Sequence, residues 1–214
     1  MAELVDAVDS KSTGGNTMGV QVPLPVPKNR IDPMLPSMKY CPRCGAEVAR
    51  KVPDDDNRER WVCTRCDTVH YQNPIPVVGC VVEHEGKVLL CKRSIQPRYG
   101  YWTVPAGFME LGESLAEGAA RETLEEACAE VEIGHLFASI DVIDAGQVHL
   151  FFTGRLKGSF GVGEESLDVQ LFAPDDIPWD VIAFRSGHYA LKKYFEDRGQ
   201  NTGVHIHELR RARL

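Results

Sequence analysis

The chain has 214 residues, enough for one medium domain or two small ones. Hydrophobic residues make up 43% and charged residues 26%, ordinary values for a globular protein, and the absence of an apolar run of about 18 residues argues against a membrane-spanning helix. The net charge of −7 argues against a general nucleic-acid surface and gives no attraction to an anionic membrane.

Residues 1–33 contain Gly, Ser and Pro without apolar periodicity and read as a disordered or spurious extension. They lack the apolar core of a signal peptide and are too acidic for a typical transit peptide. Reverse translation offers a second origin. Val8 to Thr13 can be written GTG GAT TCA AAA TCC ACT, a complementary stem closing a loop that contains CAA. Gly19 to Pro23 can be written as a T-arm and Glu3 to Ala7 as a D-arm. The expectation is a transfer-RNA gene read as protein, with the true start at Met34 or Met38.

Cys41-Pro-Arg-Cys44 and Cys63-Thr-Arg-Cys66 follow, separated by eighteen residues. Each pair makes a tight turn that aims two sulfurs at one ion. Four thiolates close a tetrahedron with no open position, so this spacing predicts structural Zn²⁺. Pro53 to Asn57 reads as a hairpin tip and Arg60-Trp61-Val62 as the returning strand. Residues 39–72 are thus a zinc ribbon, too small to fold without its metal. Its basic residues (Arg43, Arg50 and Arg58 among them) nearly cancel against acids such as Asp54, Asp55 and Asp56. The charge shows no nucleic-acid footprint, so packing or dimerisation is the expected role, with a homodimer as the assembly. Cys80, Cys91 and Cys128 read as small core residues.

Val77–Glu83 and Lys87–Arg93 flank His84-Glu85-Gly86, a hairpin signal. The most informative segment is Gly107 to Ala129. Ser114 and Glu117 form a capping box, which predicts a helix start. On that helix Glu122, Glu125 and Glu126 fall within about one third of the circumference. Ala120, Thr123, Leu124, Ala127 and Val131 are expected on the opposite side, against a sheet. Like charges at these spacings repel. A hard, oxygen-seeking cation, Mg²⁺ or Mn²⁺, relieves that repulsion. Glu113 precedes the helix, where it can turn back and fix Arg121. The plainer alternative is a solvated, charge-rich helix face.

Further strands are expected near 131–133, 137–142, 148–156 and 170–172. A second amphipathic helix should run from about Ser186 to Asp197, and residues 201–214 read as a basic C-terminal tail. Strands interleaved with two helices predict an α/β domain over 74–200 with a mixed sheet between helices. Gly161 to Asp168 forms a distal acidic loop containing Glu164 and Glu165.

The segment from Gly107 resembles the signature of the Nudix hydrolases: Gly, five residues, Glu, seven residues, Arg-Glu, apolar, any, Glu-Glu, any, Gly, apolar. Counted so, Thr123 stands at the first apolar place, Cys128 at the second Gly and Ala129 at the last apolar place. Gly107, Glu113, Arg121, Glu122, Glu125 and Glu126 match. Thr123, Cys128 and Ala129 depart, at positions taken as packing sites. The resemblance implies an α/β/α sandwich that hydrolyses a nucleoside diphosphate linked to another group. It implies Mg²⁺ held by Glu122, Glu125 and Glu126, water activation by Glu122, and orientation by Arg121. A distal carboxylate, Glu165 before Glu164, would complete the metal site. Trp102, Phe108, Phe151 and Tyr101 are candidates to stack on a base.

A zinc ribbon with this signature points to two branches. NADH pyrophosphatases carry a Ser-Gln-Pro-Trp-Pro-Phe-Pro-like stretch that this chain lacks. Instead it has Phe137-Ala-Ser-Ile-Asp141 and Asp144-Ala-Gly-Gln147. Residues 40–198 resemble the flavin-nucleotide pyrophosphatases of plant chloroplasts and their bacterial relatives, notably at Tyr71 to Pro74, Val78 to Cys80, His84 to Arg93 and Pro178 to Phe184. That resemblance implies cleavage of FAD to FMN and AMP, in a bacterial cytoplasm. NADH and ADP-ribose are the alternative substrates. An ADP-ribose sensor or an RNA-binding protein is the alternative of another class. The transfer-RNA origin of residues 1–30 predicts that mass spectra of the native protein contain no peptide from them; finding such peptides would refute it.

Overall fold

The computed structural model describes residues 37–197, 200 and 203–210. The expectations for residues 1–33 lie outside these. The ribbon comes first, as a three-stranded antiparallel sheet of β1 (Val48–Lys51), β2 (Arg60–Cys63) and β3 (Val69–His70), in that order. Cys41 and Cys63 are buried, and all four cysteine sulfurs lie within 4.8 Å of one another. The Cys41–Cys66 and Cys44–Cys63 sulfur separations are 3.9 and 3.4 Å. A tetrahedral zinc with Zn–S bonds of about 2.3 Å places sulfurs roughly 3.8 Å apart, so the cysteines fit structural Zn²⁺.

The larger sheet begins with a hairpin, β4 (Ile75–His84) and β5 (Lys87–Arg93). Its two turn residues, Glu85 and Gly86, both have positive φ (49° and 79°), the conformation that matches strand twist in a tight hairpin. The two strands pair only beside that turn, Glu83 with Val88 and His84 with Lys87. They then splay. β6 (Trp102–Thr103) continues the pairing of β5, and β7 (Ala106–Phe108) continues that of β4. The wedge between them, at Val104-Pro105, is where the cleft opens.

After β7 come α1 (Leu115–Ala127), β8 (Glu130–Val142), β9 (Gln147–Lys157), β10 (Ser166–Phe172), α2 (Arg185–Asp197) and β11 (His205–Leu209). The strand order is β10-β5-β4-β9-β8-β11. β4–β9 and β8–β11 are parallel and the other pairs antiparallel, giving the expected mixed sheet. β8 is one strand rather than two; bulges between Ile133 and Ala138 account for its interrupted apolar pattern.

Alternation along the strands divides the core. Val78, Cys80 and Val82 of β4 face α1, packing with Ala119, Ala127 and Phe152. Val81 faces α2, packing with Phe137, Ile140, Ala190 and Leu191. The result is an α/β/α sandwich, and among the described residues no helix is long and apolar enough to cross a membrane.

Three expectations fail. Cys128, expected in the core with Cys80 and Cys91, is exposed at the end of α1. Leu124 does not pack on the sheet and is 52% exposed; the buried stripe of α1 is instead Gly118, Ala119, Glu122, Thr123, Glu126 and Ala127. Two carboxylates thus share the core-facing side. The basic tail also proves structured in part, because residues 205–209 are the edge strand β11, with His205 opposite Ala138 and Leu209 opposite Val142. Period-2 burial of a five-residue strand is too weak a signal amid His and Arg residues to be read from sequence. Leu209 is buried in the α2-side core, so Leu209→Ala should destabilise the protein by about 2–4 kcal/mol in denaturant unfolding. A value near zero would mean the segment is a tail after all.

Candidate active site

Ser114 caps α1 as its sequence dictates. Its hydroxyl accepts from the Glu117 N–H, and the Glu117 carboxylate accepts from the Ser114 N–H at 2.8 Å. The helix ends at Cys128, with φ 45°. That left-handed conformation explains why the family signature has glycine there: it is a helix-end position, not a packing one. Thr123 is fully buried and donates its hydroxyl to the Ala119 carbonyl at 2.8 Å, so the polar replacement is satisfied within the helix.

Arg121 organises the carboxylates. Its Nε and Nη2 donate to the two oxygens of Glu113 at 2.9 Å each, a bidentate pair. Nη2 also donates to the Phe108 carbonyl at 3.0 Å, which ties α1 to β7. Nη1 donates to Glu122 at 2.8 Å and to Glu125 at 3.1 Å. The pairing with Arg121, with help from the Glu110 N–H, holds the Glu113 carboxyl down at about 2.

Glu122 and Glu126 reach toward β7. Gly107 leaves room there, because a Cβ at that position would displace the Glu122 carboxylate. Glu126 is 6% exposed, and the Ala106 N–H donates to it at 3.3 Å. Burial, despite that hydrogen bond and with repulsion from Glu122 and Glu165 added, pushes its carboxyl up to about 8. Burial likewise raises Glu122, against the pull of Arg121. These are carboxylates short of cation. Their all-oxygen donor set suits Mg²⁺ or Mn²⁺. Among the described residues their oxygens do not gather within 4.8 Å as the ribbon sulfurs do; Arg121 holds two of the three carboxylates apart from Glu126.

These groups border a cleft of about 1250 Å³ that Glu165, Glu164, Arg93, Arg98, Phe108 and Phe184 also line. Such a volume is at the upper end for small-molecule sites. Glu165 is near enough to disfavour the ionised forms of Glu122 and Glu126, and its carbonyl is anchored by the Ser94 N–H at 2.8 Å. Of the expected stacking residues, Phe108 is 55% exposed in the cleft and Phe151 forms part of its floor. Trp102 does not line it. Its indole is a core group, edge-on to Phe172 with ring centroids 4.8 Å apart. Tyr101 lies under Arg98, also outside the lining.

Sequence reading missed Phe184, whose ring carries the Arg93 guanidinium at 5.0 Å, and the pair Gln147 and His149 on the floor. The period-2 spacing of 147, 149 and 151 on one strand was the available signal.

Residues 39–72 match a family described as Nudix N-terminal, a zinc ribbon, and residues 73–195 match the NUDIX domain. The chain belongs to the Nudix family. A crystal structure of a NUDIX hydrolase from Nitrosomonas europaea is 48% identical, covers 81% of this chain and all of its own, and superposes with a TM-score of 0.78. Among curated proteins, the NAD-capped RNA hydrolase NudC of Vibrio vulnificus is 30% identical over 150 residues, 68% of this chain and 54% of that protein. NudC of Vibrio atlanticus is 35% identical over 108 residues, 50% of this chain and 38% of that protein. The chain thus spans about half or less of the length of the curated relatives it matches. Its zinc ribbon fits structural Zn²⁺, and the carboxylates of its NUDIX domain suit Mg²⁺ or Mn²⁺.

The Glu126 environment has a pH signature. Unfolded, this carboxyl ionises near its ordinary 4.5; folded and free of Mg²⁺, it keeps its proton to about 8. Folding takes up a proton across that window, so the stability of the Mg²⁺-free protein falls as pH rises through it. Glu126→Gln should flatten this slope and melt higher than the unsubstituted protein at about pH 8 without Mg²⁺, with the difference shrinking toward about pH 5. Parallel melting curves would contradict the assignment.

Proposed function

We propose that the protein hydrolyses the diphosphate of a dinucleotide, with FAD as the preferred substrate, yielding FMN and AMP. The observation that carries the class of substrate is the cleft itself. It has buried carboxylates at one side, exposed Phe108 and half-buried Phe184 beside them, and a volume beyond what one mononucleotide needs. The preference for FAD rests on the residue-level resemblance of 40–198 to flavin-nucleotide pyrophosphatases.

Each residue has a stated task in this reading. Glu122, Glu125 and Glu126 hold the divalent cations, with Glu165 as the carboxylate from the opposite loop. Bound there, the cations neutralise diphosphate charge and lower the pKa of water. Glu122 takes the proton of the attacking water, since burial favours its protonated product form. Water adds to one phosphorus in line with the bridging oxygen, that P–O bond breaks, and two phosphomonoesters leave. Arg121 positions Glu122 and Glu125 while Glu113 positions Arg121. Phe108 and Phe184 offer faces for the bases.

A second reading is favoured by the curated relatives: an NAD-type dinucleotide, free or at the end of an RNA. The test is product analysis with Mg²⁺ and FAD, NADH, ADP-ribose or NAD-capped RNA, following AMP, FMN and nicotinamide mononucleotide. FAD should give the highest kcat/KM, and Glu122→Gln should lower kcat about 10²–10⁴-fold. Higher kcat/KM with NADH or capped RNA would replace the FAD assignment, and cleavage of none would sink the dinucleotide reading.

A further inference from the structure

Away from the carboxylates, the cleft floor carries a polar chain that the hydrolytic chemistry does not use. Phe108, Val77 and His149 stand in one row across β7, β4 and β9, all lining the cleft. Gln147 is two residues along β9, so it shares that face. Strand spacing and rise put Gln147 roughly 14 Å from the Gly107 backbone. The group that meets Gln147 is therefore not the diphosphate held by the glutamates.

His149 links two partners. Its Nε2 is 2.9 Å from the Gln147 amide oxygen and its Nδ1 is 2.8 Å from the Ser186 hydroxyl at the start of α2. An amide oxygen can only accept, so Nε2 carries the proton and donates. In a neutral ring Nδ1 must then accept, and Ser186 donates to it. Burial keeps the imidazole neutral by lowering its pKa to about 4. Ser186 is itself 3% exposed, so its rotor is fixed. The chain runs one way, Ser186 to His149 to Gln147, and it leaves the Gln147 amide NH₂ as the group presented outward. That nitrogen is not among the buried unpartnered atoms and has no partner among the described residues, so it is open to the cleft.

The donor chemistry selects a ligand. A free Gln side chain reads adenine with both its oxygen and its nitrogen. Here one lone pair of the oxygen is engaged by His149, which fixes the amide plane and turns the NH₂ outward. Arg185 and Arg210 border the same region, with Asp144 in the field of Arg210. The complement of a fixed NH₂ donor is an acceptor, and a carbonyl oxygen is the one acceptor type that adenine lacks.

We propose that Gln147, oriented by His149 and Ser186, is a specificity determinant that donates to a carbonyl oxygen on the non-adenine base of the substrate. This rests on the dinucleotide reading and adds which half of the substrate is inspected and by what bond. Isoalloxazine and nicotinamide both carry such an oxygen, whereas ADP-ribose has no second base.

The test compares Gln147→Met and Gln147→Glu with the unsubstituted protein, using calorimetry with Ca²⁺ in place of Mg²⁺. FAD, or NADH if FAD does not bind, is the probe with the carbonyl, and ADP-ribose is the probe without. Loss of one such hydrogen bond should lower the ratio of the two affinities about five- to tenfold in both variants. Ser186→Ala should lower it by less. Imidazole ¹⁵N spectra of the unsubstituted protein should show the Nε2-protonated tautomer. A ratio unchanged within twofold in both variants overturns the proposal, as does an Nδ1-protonated ring or binding of neither base-bearing probe. Binding without cleavage would instead defeat the activity reading and leave the affinity ratio to decide this one.

Discussion

The geometry of this site depends on one guanidinium. Arg121 makes five hydrogen bonds from three nitrogens, joining the loop before α1, the helix itself and the strand beside it. A lysine could not replace it, because one ammonium cannot present two parallel donors to Glu113 while reaching the Phe108 carbonyl. Without Arg121, Glu122 would sit buried next to Glu126 with no neutralising partner. The arginine thus holds together a cluster whose members repel one another, and it does so before any cation arrives.

The splayed hairpin supplies the second requirement. If β4 and β5 paired along their whole length, no carboxylate from α1 could reach the opposite face of the sheet. Their separation, filled by β6 and β7, opens a passage at Val104-Pro105 through which the helix and the cleft communicate. The absence of a side chain at Gly107 leaves room for Glu122 at that passage. Backbone divergence, one glycine and one arginine together convert a helix packed on one face into the wall of a site open to the other.

How much of this could be read from the chain varies with the range of the interactions. The capping box at Ser114, the hairpin turn at Glu85-Gly86 and the cysteine turns are local, and local chemistry dictates them. Helical spacing along α1 gives relative angles but not which side is buried; Glu122 and Glu126 look like surface residues until the sheet is in place. Trp102 is a stacking candidate by residue type alone, whereas its neighbours in space, Phe172 and the α2-side core, come from distant segments. The Ser186–His149–Gln147 chain joins residues up to 39 positions apart and had no sequence motif to announce it. β11 is hidden for the same reason: its strand partner among the described residues is β8, far back in the chain.

That last strand has a dynamic consequence. Among the described residues β11 pairs with one strand, and its last residue Leu209, with the adjoining Arg210, also lines the cleft. An edge element of this kind is among the first to peel away in local opening. When it does, it takes part of the cleft wall with it. A ligand that contacts this wall binds only the closed form, so occupancy suppresses peeling in proportion to ligand concentration over Kd. Amide exchange along residues 205–209 is therefore a reporter of the cleft, and the slow breathing of the sheet edge and the residence of a ligand are thermodynamically one process.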